Sequence, residues 1–233
     1  MTSRSSRRAS RVRKEVLGVT GDSTDWPSLH ALGDPCDLPL AIDEMMRAED
    51  DDDANSAYWR IEGNAFFQRA LYQAAEPTAL VVSDRICDGH STIHGLRCGF
   101  DLLVEITHGF PAQSEQMLGD NTIDERCTKV ICNHLPCFYR VAESCTDERV
   151  LQGVVDLSVR LEIDVARQRR LLETISVRPL RSSFLISSVN DLRRSLSGKD
   201  CFLSAVSAHV RRKQMVAGAG AGEESSRTRT GGA

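Results

Sequence analysis

An all-α fold of stacked helical hairpins, a solenoid with disordered termini and one irregular insertion, is what this sequence predicts on three observations. Trp59, Gly63 and Phe66 are spaced by four and then three, so on a helix of 3.6 residues per turn they share one stripe. Gly63 costs about 1 kcal/mol relative to alanine inside a helix, which predicts a second helix crossing close to its backbone. Finally, 35 residues separate Asp156 from Asp191, each in a helical-looking stretch, and a repeat of that length is the mark of a solenoid.

The chain divides into a leader over 1–54, a helical domain over 55–213 with an insertion at about 78–127, and a tail over 214–233. Residues 1–14 hold Arg4, Arg7, Arg8, Arg11, Arg13 and Lys14 with no acid. They resemble a mitochondrial presequence in being Arg- and Ser-rich, but after Met1 only Ala9 and Val12 are apolar, so the segment reads as a disordered basic tail. Gly, Pro, Asp and Ser make 18–40 loop, with a helical turn near Pro27–Leu32 and a helical stretch at Ala41–Ala48. The acidic run from Glu49 to Asp53 favours the start of the next helix through its dipole, with Asn55 or Ser56 as cap. A second helix begins near Tyr72 and Ala75 and meets Pro77 in its first turns.

Residues 78–127 carry a β-branched stretch, Leu80-Val81-Val82, and an apolar one, Phe100–Ile106, that suits strand or helix. Helical stretches resume at Lys129–Arg140, interrupted by Pro136, and at Val154–Asp164. A further hairpin is predicted from Arg167–Glu173 and Ser188–Leu196, turning near Pro179. Phe202–Lys213 closes the array, and the Gly/Ala/Ser/Thr-rich Ala217–Ala233 is read as disordered.

Trp59-x3-Gly63-x2-Phe66-x5-Tyr72-x2-Ala75 resembles the start of a tetratricopeptide repeat, a 34-residue helical hairpin. Glu62-Gly63-Asn64-Ala65-Phe66-Phe67 is similar to the first repeat of co-chaperones that bind the C-terminal tails of heat-shock chaperones. Asn133 to Arg140 resembles a diverged second repeat, with His134 in place of an arginine. The resemblance implies a protein–protein interaction adapter whose groove holds the acidic C-terminal peptide of a heat-shock chaperone and presents it to client or adapter proteins. It also implies the clamp residues: Arg60 and Asn64 from the first repeat, Asn133 from the second, and Arg167, Arg169 and Arg170 as third-repeat cations. A peptide carboxylate needs such fixed amides and cations, because charge-assisted hydrogen bonds are the strong ones.

A rival reading is a small zinc-binding regulatory protein. Cys87-x2-His90-x3-His94-x3-Cys98, followed by Cys127, Cys132, His134 and Cys137, are all zinc ligand types. On one unbroken helix residues 87–98 would span about 16 Å, too far for one ion, so this site needs Gly89 and Gly95 to fold the segment back. No nucleophile elbow, phosphate loop, His-Glu-x-x-His or dinucleotide fingerprint is present, so the chain reads as non-catalytic. With 29 basic against 33 acidic residues it does not read as a nucleic-acid binder. No apolar run reaches the eighteen residues that span a bilayer. The expected place is the cytoplasm or nucleus, without cofactor, with its thiols reduced.

Overall fold

The computed structural model describes residues 24–198. The basic tail at 1–14, the closing helix at Phe202–Lys213 and the C-terminal tail therefore lie outside the described residues. The fold is all-α, consistent with the expected solenoid of helical hairpins, and only three two-residue strands interrupt the helices among the described residues. Its described residues fall into two compact units that divide between Ile131 and Cys132.

Helical structure is present upstream of residue 55. After a 3-10 turn at Trp26–Ser28, helix α1 (Leu38–Arg47) buries Leu38, Ala41, Ile42, Met45 and Met46. Their spacing of three and four puts them on one face, and Pro39 sits in the first turn, where its missing donor costs nothing. Within the described part of the leader, α1 is thus a core element. Helix α2 (Asp51–Ala65) starts inside the acidic run: Asp50 caps it by accepting from Asp53 N at 2.8 Å, and Asp51 to Asp53 fill the first turn, where the helix dipole favours acids. The cap lies five residues before Asn55 because any aspartate of the run can serve.

After α2 the chain turns back through a hairpin of β1 (Phe66–Phe67) and β2 (Ala70–Leu71). Gln68 and Arg69 form its tip, both in the left-handed region with φ of 48° and 69°. Residues other than glycine lose roughly 1–2 kcal/mol each there, and tertiary bonds hold them. Arg69 Nε donates to Glu105 at 3.1 Å, the Arg69 carbonyl accepts from Phe110 N at 2.8 Å, and Gln68 N donates to Glu62. Helix α3 (Ala75–Cys87) follows, with Pro77 in its first turn as expected.

The region left between strand and helix is helical. Helix α4 (Ile93–Thr107) buries Cys98, Gly99, Leu102, Leu103 and Ile106, a three–four spacing that decides the matter. Thr92 caps α4 by accepting from Gly95 N at 3.1 Å while its hydroxyl donates to the Ala48 carbonyl at 2.7 Å. These bonds set the start of α4 against the end of α1, and the close crossing occurs at Gly95. A Cβ there would lie 2.5 Å from the Met46 carbonyl oxygen, whereas one on Gly63 would meet nothing within 4 Å. The expectation of a helix crossing at Gly63 is therefore corrected: Gly63 and Trp59 are exposed, and Phe66 alone of that stripe is buried. Strand β3 (Phe110–Pro111) joins β2 in parallel, giving the order β1-β2-β3. A short helix α5 (Gln113–Met117) places the buried Glu115 carboxylate against His30 Nδ1.

Helix α6 (Ile123–Ser144) carries the division between the units. It buries Ile123, Cys127, Ile131, Leu135, Phe138 and Ala142 along one stripe and runs through the exposed Pro136.

In the second unit α7 (Glu148–Leu161) is capped by Asp147, which accepts from Val150 N at 3.1 Å, and buries Val150, Leu151, Val154, Val155 and Leu157. Helix α8 (Val165–Ser176) is capped by Asp164 and buries Gln168, Leu171 and Ile175. Residues 183–198 form helix α9, burying Leu185, Val189, Leu192 and Leu196. The α8–α9 hairpin falls where the sequence predicts it, with its turn at Pro179. Arg178 fixes that turn by donating to the carbonyls of Ala142 at 2.8 Å and Glu143 at 2.9 Å, at the end of α6. No helix among the described residues is long and apolar enough to cross a membrane.

Candidate functional site

Arginine side chains on α6 and α8 meet in a groove of 180 Å3 in the second unit. Pro136, Tyr139, Arg140 and Glu143 line one side, and Arg167, Arg170, Leu171 and Thr174 the other. Arg167 and Arg170 are three apart on α8 and so share a face. The groove is smaller than the roughly 300–1,000 Å3 of small-molecule pockets and suits about one side chain or chain end.

A polar network underlies it. The Tyr139 hydroxyl donates to Glu162 Oε2 at 3.1 Å and lies 3.1 Å from Ser158 Oγ. Glu162, almost fully buried, also accepts from Arg167 Nη1 at 3.3 Å and, on Oε1, from Asp164 N at 2.8 Å. Arg167 Nε donates to Asp164 at 3.1 Å. Arg167 is thereby held in one orientation with two of its donors used. Burial, with the Glu162 charge adding, pushes the Tyr139 phenol above its usual range, so it stays a donor. The backbone amides of Arg167 and then Ala166 hold Asp164 below the usual aspartate range. Arg140 and Arg170 are exposed, and among the described residues neither is ion-paired.

The other expected clamp residues are placed differently. In the first unit Arg60 donates to both oxygens of Asp37, at 2.7 and 3.1 Å, and to Glu44. The Asp37 and Glu44 carboxylates push its guanidinium further above its usual range. Asn64 Nδ2 donates to the Arg60 carbonyl at 2.7 Å, and its Oδ1 lies against Gly33. A cleft of 430 Å3 adjoins Arg60, lined also by Asp43, Glu44, Arg47 and Asp53, and both its arginines already meet carboxylates. Asn133 is exposed on α6 and Arg169 is exposed on α8; neither lines the 180 Å3 groove. Arg140 was not among the expected cations. Its place in the Lys129–Arg140 stretch gives no signal, because the fold, not the spacing, sets α6 against α8.

The alternative metal ligands are dispersed. Cys87 closes α3 and is disulfide-bonded, contrary to the expectation of reduced thiols, which removes it as a thiolate ligand. His90 follows the left-handed Gly89 in the loop, His94 Nδ1 bonds Asp51 at 2.7 Å, and Cys98 is buried with Sγ 3.7 Å from Asn55 Oδ1. Gly89 does turn the chain, whereas Gly95 lies within α4. Among the described residues no three His, Cys, Asp or Glu side chains gather to hold a metal ion.

Comparison of the chain with protein-family models, with curated proteins and with solved structures finds no match in any of the three.

Proposed function

We propose that this chain is a non-catalytic protein–protein interaction adapter that holds an acidic segment of a partner in the groove between α6 and α8. The supporting observation is the pair Arg140 and Arg170: two exposed cations without ion partners among the described residues, beside the fixed Arg167. An entering carboxylate gains charge-assisted, bidentate bonds without displacing an internal acid. Leu171 and Pro136 give its carbon stem an apolar wall.

In its narrower form the proposal is a diverged tetratricopeptide co-chaperone of the cytoplasm or nucleus, whose ligand is the acidic C-terminal peptide of a heat-shock chaperone. The 35-residue interval between Asp156 and Asp191 and the α8–α9 hairpin support this form. Of the clamp residues the resemblance implies, Arg167 and Arg170 line the groove. A labelled acidic peptide with a free C-terminus, titrated beside the same peptide amidated, tests the two forms. Binding only with the free carboxylate supports the narrower form; equal binding supports an acidic segment read through its side chains. Binding of neither overturns both.

A further inference from the structure

The small sheet of the first unit turns two phenylalanines outward. In its register Phe67 pairs with Ala70 and Ala70 with Phe110, so these three side chains form one row on one face. Phe66 and Leu71, in the neighbouring row, are buried, whereas Phe67 is 47% and Phe110 53% exposed. Two large apolar side chains flanking a small one on a solvent-facing sheet are unusual for a surface with no partner. The hairpin tip between them is the strained Gln68-Arg69 pair, a geometry that persists because Glu62 and Glu105 hold it.

Charge beside the row selects the partner. Glu62 and Glu105 flank the tip, but Arg69 donates to Glu105 alone, and Glu62 has no ion partner among the described residues.

We propose that the outer face of this sheet docks a basic, apolar segment of a partner protein, with apolar side chains over Phe67 and Phe110 and a lysine or arginine paired with Glu62. Burial, with the Glu105 charge adding, raises Glu62 above the usual carboxylate range, and an incoming cation relieves that repulsion. This surface belongs to the first unit and takes the opposite charge to the groove of the second.

The test uses the full chain and three labelled, end-blocked peptides: Leu-Arg-Leu-Arg-Leu, Leu-Glu-Leu-Glu-Leu and Gly-Arg-Gly-Arg-Gly. The expected result is binding of the Leu/Arg peptide alone, with Kd on the order of micromolar. Phe67→Ser with Phe110→Ser should weaken it at least about tenfold and Glu62→Gln several-fold. Circular dichroism checks that helicity is kept, and Phe110→Ala alone, outside the strained hairpin, serves if the double variant loses structure. No binding of the Leu/Arg peptide up to about 1 mM, equal binding of the Gly/Arg peptide, or binding that ignores the phenylalanine variants overturns the proposal.

Discussion

Gly95 lies against the backbone of Met46 so closely that a Cβ on it would sit 2.5 Å from the Met46 carbonyl oxygen and 2.7 Å from Met46 Cα. Neither atom is the end of a flexible side chain, so α1 or α4 must move to admit a methyl group. Gly95→Ala should therefore destabilise by about 1–3 kcal/mol, as overpacking does. Gly63→Ala, open to solvent in α2, should instead stabilise by about 0.5–1 kcal/mol. Urea unfolding of both variants measures the difference, and equal effects would place the helix crossing elsewhere.

His30 and Glu115 form a pair in which the carboxylate is wholly buried and its Oε2 has no hydrogen-bond partner. Removing the imidazole leaves the buried carboxyl without that partner, so His30→Ala should cost about 2 kcal/mol, less than a fully buried pair because the histidine is partly exposed. Glu115→Leu, which removes the buried polar group itself, should cost less than His30→Ala. Thermal unfolding of the two variants ranks them, and the reverse order would mean the pair stabilises the fold on balance.

Cys127 is fully buried, and burial, with the Glu76 charge adding, pushes its thiol from 9.0 up to about 12. The neutral thiol is favoured in the fold, so its contribution is complete below pH 9, the value for the unfolded chain, and is lost as pH rises towards 12. Iodoacetamide at neutral pH should modify the exposed Cys36 first and Cys127 only on unfolding. Cys127→Ser should flatten the alkaline loss of stability between pH 9 and 12. Early labelling of Cys127 in the folded protein would contradict its burial.

The elements legible in the sequence are those set by local signals: the α8–α9 hairpin from its two helical-looking stretches and Pro179, Pro77 in the first turn of α3, and the acidic start of α2. What was not legible depends on long-range contact. Nothing near Gly95 reports that Met46 will lie against it, and Gly63 carries the same local signal with no neighbour. The β1–β2 hairpin was hidden because Gln68 and Arg69 occupy positions that glycine or asparagine usually marks, so Tyr72 read as the start of a helix. Of the groove's three arginines, Arg167 and Arg170 are ones the resemblance names, while Arg140 joins them only once α6 is set against α8.

The most direct test of the groove is titration of the wild-type chain and of Arg140→Glu with Arg170→Glu against one labelled acidic peptide bearing a free C-terminus. Wild-type binding on the order of micromolar is expected, weakened as salt screens the charges, with a loss of at least about tenfold in the variant at unchanged helicity. Wild-type affinity retained by the variant, or no binding by the folded wild-type chain, would contradict it.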